Sequence, residues 1–377
     1  MKRTDHRRRF WAAVVALTAA LMQILMPAGA LNAAASTDET LGTGRARTAI
    51  SVDLARLLDL PGRSGEHAGR MLIPGGAAVG VAIATRGVLV VGLSEGAGMQ
   101  AGLRAGDLLL SVNGVPLDSA GVLTEAVSAA GGQPISLGVE RDGRQRTVLV
   151  TPQYDEMAGS YRLGIWVRDS TAGVGTLTYY DTQNGTYGAL GHAITDSDTG
   201  SLLPVRTGSL MQAEIVDVRR GVRGTPGELR GSFLREQVRL GTVEKNTVYG
   251  IFGRLDSAYA NPLYPDGLPV AARSAVHTGA ASILSTVSGR SMQEYAVEIT
   301  QVMRQSGPAQ KSMVIRVTDE RLLAATGGIV QGMSGSPILQ DGCIVGAVTH
   351  VFVADSAQGY GVYIDWMLEE SDALPAT

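Results

Sequence analysis

The sequence predicts a mainly β protein that follows an export segment. Three observations point there. Glycine is abundant, at 49 of 377 residues, while aromatic residues make up only 5%. Apolar runs are short and often alternate with polar residues, and turn dipeptides separate them, which favours short strands over a helical bundle. Finally, Lys2, Arg3, Arg7, Arg8 and Arg9 precede an apolar stretch over residues 10–26, and small residues continue to Ala35.

Residues 1–35 have the layout of a secretory signal, with Ala28-Gly29-Ala30 or the Ala33-Ala34-Ala35 run as cleavage sites. The stretch is also long enough to remain as a membrane-anchor helix, although Gln23 and Pro27 weaken it. In either case the positive end stays in the cytoplasm and the rest crosses. The length allows two or three domains. The net charge of −3, without a basic stripe past the N-terminus, removes the footprint of a nucleic-acid binder. The one cysteine, Cys343, cannot make an intramolecular disulfide. No Cys/His spacing reads as zinc ligation, so no metal or other cofactor is expected.

Residues 36–70 are polar and mixed and read as a linker, with a short helix over 51–60. Residues 71–152 read as one module. Residues 79–83 alternate as a strand, and 87–93 form an almost continuous apolar strand. A helical turn over 98–103 stops at glycine. Residues 106–114 form a strand running into the Asn113-Gly114 turn. Val122, Leu123, Ala126 and Val127 have helical spacing. A hairpin through Asp142-Gly143 ends the module. Residues 160–377 contain many short strands with turn signals, at 176–180, 212–218, 248–252, 312–317 and 342–353, and read as a β-barrel or a pair of barrels. Only the segment 364–371 reads there as a helix.

The segment 101–107, followed by Ser111-Val112-Asn113-Gly114, resembles a PDZ domain over about 80 residues. In that family a peptide adds as a strand between a sheet edge and the second helix. The resemblance places the groove at Gly80, Val81, Ala82 and Ile83, facing Leu123 and Val127.

Gly332-Met333-Ser334-Gly335-Ser336-Pro337 supplies what a nucleophilic serine needs. Flanking glycines permit a tight turn that exposes the hydroxyl and aims backbone N–H groups at a developing oxyanion. The pattern resembles the nucleophile segment of chymotrypsin-like peptidases, which implies Ser334 as nucleophile and the amides of Gly332 and Ser334 as the oxyanion hole. Ser336 is the other hydroxyl, and the pattern disfavours it. A strand–turn–helix esterase would need Gly-x-Ser-x-Gly at its nucleophile, whereas Ser334 is followed by Ser336-Pro337 and a β-rich run. Of five histidines, His6 and His67 lie in the leader and linker, His277 lacks a partner signal, and His350 ends the apolar run after the nucleophile segment. His192, in Gly191-His192-Ala193-Ile194, is the candidate base. The carboxylate that orients the base is left open by spacing, with Asp196, Asp198, Asp319, Asp355 and Asp365 all available.

The combination of export segment, PDZ module, Gly191-His192-Ala193-Ile194 and residues 327–337 resembles the stage IV sporulation protein B peptidase family. The likeness runs on through residues 346–353 and 359–364, and covers the chain from about residue 70. It implies a triad of His192, Asp319 and Ser334. It also implies self-cleavage near the N-terminus, and cleavage of a regulator of a membrane-embedded metalloprotease. The place of action would be the space between the two membranes around a forespore, and the result the processing of a sigma factor. A non-catalytic PDZ scaffold with a degenerate peptidase domain is the competing reading.

Overall fold

The computed structural model describes residues 67–232 and 238–375. The expected signal or anchor, and the linker as far as residue 66, lie outside the described residues. Among the described residues no helix is long and apolar enough to cross a membrane.

Two strands of 16 residues each, Ala78–Leu93 and Ile165–Tyr180, organise the fold. They pair antiparallel from Ala78 opposite Thr176 to Leu93 opposite Ile165, with a register shift between Ala84 and Leu89. That shift divides both strands between two cores. Beyond it, Val88 and Val90 enter a core with Leu103, Leu109, Leu123 and Ile135. Before it, Val79, Val81, Ile83 and Leu177 pack with Tyr187, Leu210 and Ile251.

The first of these cores belongs to the PDZ module. The turn Ala97–Gln100 leads to the strand Leu108–Val112, and the Asn113-Gly114 turn has the left-handed φ values of 49° and 82° that an Asn-Gly pair favours. The helix Ala120–Ala130 starts at Ser119, whose side chain accepts from the Val122 N–H, and ends at left-handed Gly131. Its buried stripe is Leu123 and Val127. The hairpin Ile135–Arg141 and Arg144–Val150 completes the sheet. Asp107 is fully buried and accepts from the Arg104 amide at 2.8 Å, while Arg141 reaches both of its oxygens.

The second core is a sheet built on the inner halves of the long strands with Val205–Gln212, Arg239–Thr242, Thr186–Ala189 and Gly250–Arg254. Residues 71–84, expected in the PDZ module, pair here instead: Val81 lies opposite Gly173 on one side and Leu210 on the other. Six further strands close into an antiparallel barrel. Its members are Gly279–Thr286, Met292–Val302, Met313–Val317, Asp355–Tyr363, Cys343–Phe352 and Pro337–Gln340. Ile283, Ile299, Ile315, Ile338, Ile344 and Val362 are all fully buried there. The helix Ile364–Asp372 follows as expected, and a short helix, Glu320–Thr326, was not expected.

Arg70 fastens the start of the described chain to its end. It donates to buried Asp181 at 3.0 Å and, through both terminal nitrogens, to Asp372 on the last helix at 2.7 and 2.9 Å. Replacing Arg70 by Met strands the Asp181 carboxylate without its cation. It is expected to lower the unfolding free energy by about 3 kcal/mol in urea titrations. Asp372→Asn, at the more exposed half of the clamp, should cost under about 1 kcal/mol.

Candidate active site

The turn at residues 327–336 joins the short helix Glu320–Thr326 to the barrel strand Pro337–Gln340. Two of its glycines are required. Gly332 has φ +96°, and Gly335 has φ +95° with no room for a side chain: a Cβ there would sit 2.2 Å from the Thr176 carbonyl oxygen. With both in place, Ser334 faces a cavity of about 540 Å³. Its Oγ donates to the Thr349 carbonyl at 2.7 Å. Ser336 is fully buried and its hydroxyl has no hydrogen-bond partner among the described residues, so it is not the exposed hydroxyl.

His192 reaches the same cavity from the other side. It follows the strand Thr186–Ala189 through left-handed Leu190 and Gly191. Asn246 pins the loop: its side-chain oxygen accepts from Ile194 N–H at 2.9 Å, and its amide nitrogen donates to the Ile194 and Leu203 carbonyls at 2.8 and 2.9 Å. His192 Nδ1 donates to the Ala193 carbonyl at 2.8 Å, which leaves Nε2 as the nitrogen with the lone pair. Burial pushes the His192 pKa below its ordinary value, and the bond to Ala193 opposes this in part. The ring of His350 lies 5.0 Å from that of His192, centroid to centroid, and is tilted by 40°. The His350 pKa is also lowered, first by burial and then by His192 and Lys311.

Val174, Leu190, Ile194, Ile329, Val330 and Val351 supply the apolar part of the cavity wall, Thr171, Thr195, Gln331 and Thr349 a polar part, and the two imidazoles are its only titratable side chains among the described residues. The amides of Gly332 and Ser334 donate to no protein acceptor among the described residues. Two unpaired donors beside a serine hydroxyl are the arrangement an oxyanion requires. Among the described residues no group of three or more His, Cys, Asp or Glu side chains is placed to hold a metal ion.

The structure does not bring Asp319 to His192. Asp319 caps the helix Glu320–Thr326, accepting from the Arg321 and Leu322 amides. It also accepts from Arg321 Nη2 at 2.8 Å and from the Ala296 amide at 3.3 Å. Arg321 is the main reason its carboxyl is held down at about 2. It does not line the cavity. Asp196 and Asp198 are bound by Arg168, Asp355 by Gln358, and Asp365 is paired with Arg273. Among the described residues no carboxylate hydrogen-bonds His192. The Ala193 carbonyl holds its Nδ1 instead.

The peptide groove also needs correction. Gly80, Val81, Ala82 and Ile83 have strand partners on both sides, Val205–Gln212 and Ile165–Tyr180, so they offer no free edge. Leu123 and Val127 do line a groove, of about 640 Å³, but they face Leu163, Gly164 and residues 165–167. There the second long strand pairs only with the first, and its outer edge is open among the described residues. The Leu163-Gly164-Ile165 sequence lies past the hairpin at which the module was expected to end. Asn246 and His350 were also missed as site residues. An Asn in a strand and a His in an apolar run give no local signal.

A family model described as SpoIVB peptidase S55 matches residues 159–368, and a PDZ domain model matches residues 90–141. Among curated proteins, the zinc metalloprotease RasP of Geobacillus kaustophilus is 34% identical over 65 residues. The putative zinc metalloprotease LL2128 of Lactococcus lactis is 46% identical over 66 residues. Each match takes in 17% of this chain, and the chain spans only 15% of either relative. Among solved structures, the PDZ domain of an SdrC-like protein from Listeria monocytogenes is 17% identical, covering 22% of this chain and 87% of that one, with a TM-score of 0.21. The active form of the Rv3671c protease of M. tuberculosis is 16% identical, covering 55% of this chain and 76% of that one, with a TM-score of 0.33. The peptidase match spans more than half the sequence and contains both Ser334 and His192, and on that ground the chain belongs to the SpoIVB peptidase S55 family.

Proposed function

We propose that the chain is an exported serine endopeptidase that cuts itself near its N-terminus and cuts a regulatory protein in the space between the two forespore membranes, setting off sigma-factor processing during sporulation. One observation carries the catalytic part. Ser334 and His192 open into one cavity, beside the amides of Gly332 and Ser334, which are unpaired among the described residues. Family membership supports the sporulation role, and the resemblance supplies the regulator of a membrane-embedded metalloprotease as its class of protein substrate. Export, with or without a retained anchor, rests on residues 1–35. The groove of Leu123, Val127 and residues 163–167 supports selection of a peptide segment by strand addition.

In this reading both residues act in turn. Ser334 Oγ turns from the Thr349 carbonyl toward His192 Nε2 and gives up its proton as it attacks the scissile carbonyl carbon. The carbonyl oxygen takes the negative charge between the Gly332 and Ser334 amides. Protonated His192 then donates to the leaving amine, and the C–N bond breaks. Water, activated in turn by His192, hydrolyses the acyl-enzyme and restores the serine. The Ala193 carbonyl keeps Nδ1 protonated throughout, which presents Nε2 as the base. A non-catalytic scaffold would have no use for paired open amides beside a serine.

Ser334→Ala is expected to abolish self-cleavage and labelling by a fluorophosphonate while the protein stays folded. Ser336→Ala removes an unpartnered buried hydroxyl and should leave both near wild type. Because burial lowers the His192 pKa, the base is already neutral at ordinary pH. Cleavage should fall as pH drops through a value below 6.5, the ordinary histidine value, in a profile of kcat/KM. A limb above 6.5 would count against His192 as the base. Asp319→Asn keeps a competent helix cap and should keep most of the activity. A loss of roughly 10⁴ in kcat would instead give Asp319 the orienting role that the family resemblance implies.

A further inference from the structure

The open amides of Gly332 and Ser334 need a reason to face outward. It lies in where the turn's carbonyls go. The Gln331 carbonyl accepts from the Leu229 amide at 2.8 Å, and the Met333 carbonyl from the Ser336 amide at 3.0 Å. The Gly332 carbonyl accepts from the Thr176 hydroxyl at 2.8 Å, and the Ser334 carbonyl from the Thr176 amide at 3.1 Å. All four carbonyls from Gln331 to Ser334 are therefore tied inward. In a trans peptide the N–H points opposite to the C=O, so the ties on the Gln331 and Met333 carbonyls turn the Gly332 and Ser334 amides the other way, toward the cavity that both residues line, and the ties on the Gly332 and Ser334 carbonyls hold the planes between and beyond them.

Thr176 makes two of these four ties, and its own carbonyl accepts from the Leu190 amide at 3.2 Å, two residues before His192. One buried residue thus touches both the nucleophile turn and the loop that holds the base. Its side chain contributes the one tie of the four that a substitution can remove without changing the backbone. The residue is only 1% exposed, and its hydroxyl has no other acceptor among the described residues.

We propose that Thr176 is a positioning residue of the oxyanion turn: its hydroxyl holds the Gly332–Met333 peptide and its amide holds the Ser334–Gly335 peptide, and these two planes flank the Met333–Ser334 peptide whose N–H faces the developing oxyanion. This rests on the peptidase reading of Ser334. Without the hydroxyl the part-buried Gly332 carbonyl loses its partner, and the plane next to the one that carries the Ser334 amide is freed to rotate. The effect belongs to the transition state, because the oxyanion forms only there. Loss of an oxyanion donor itself costs roughly 10²–10³ in kcat. Loss of the group that aims it is expected to cost on the order of ten- to hundredfold.

The test compares full-length Thr176→Val, Thr176→Ser and Ser334→Ala proteins with the parent. Three quantities are read: the rate of inactivation by a fluorophosphonate, kcat and KM on a quenched casein substrate, and the thermal midpoint. Valine keeps the strand amide and the branched shape but removes the hydroxyl. The expected result is a ten- to hundredfold loss in kcat and in the labelling rate for the Val variant, with KM within about twofold. The Ser variant, which restores the hydroxyl, should recover to within a few-fold of the parent. Wild-type rates in a folded Val variant would overturn the proposal. So would a Ser variant as slow as the Val one, and this second comparison decides the matter if the Val variant melts early. Activity or labelling surviving in Ser334→Ala would show that the nucleophile reading has failed, a result separate from any outcome at Thr176.

Discussion

The antiparallel pairing of Ala78–Leu93 with Ile165–Tyr180 is the constraint on which the rest of the molecule depends. A ladder of this length is costly to slip, because a one-residue shift would turn Val79, Val81 and Ile83 out of their core. The same register sets Thr176 opposite Ala78 and against the Ser334 turn. At its other end it sets residues 165–167 across from Leu123 and Val127. The wall of the peptide groove and the support of the nucleophile are therefore parts of one continuous strand. Residues 171–174, midway between them, line the catalytic cavity.

The proposed catalytic centre is assembled mostly from main chain. Glycines at 332 and 335 let the turn fold tightly against Thr176 and Leu190. Its carbonyls are consumed by neighbours, which leaves two donors for an oxyanion. Side chains add the parts that backbone cannot supply: the Ser334 hydroxyl, the His192 imidazole and the Asn246 amide that steadies the histidine loop. Burial also keeps His192 neutral, the form a general base needs.

Elements whose cause is local were legible. Ser119 and Gly131 bound a helix with Leu123 and Val127 on its buried stripe, and Asn113-Gly114 and Asp142-Gly143 make turns with left-handed φ. Ser334 was legible because a nucleophile turn needs particular glycines next to it in sequence. His192 was legible by elimination, since only five histidines exist. Asp319 shows the opposite case. Its position shortly before the serine agreed with the family resemblance, yet the same residue begins a helix whose free amides and Arg321 take up its carboxylate. A helix of seven residues has too short an apolar period to be seen ahead of time, so its cap was hidden with it.

By itself, then, the sequence determined the β class, the PDZ helix and the peptidase family, and it singled out Ser334 and His192, which the structure places on one cavity. Each depends on residues close together in the chain or on a scarce residue type. Only the tertiary structure decided that Gly80, Val81, Ala82 and Ile83 are paired on both edges, that residues 163–167 form the groove instead, and that Asn246 and Thr176 support the site. The physical reason is that strands expose the same row of N–H and C=O groups whatever their side chains. Which strand meets which is selected by packing between distant segments, and no local pattern records that choice.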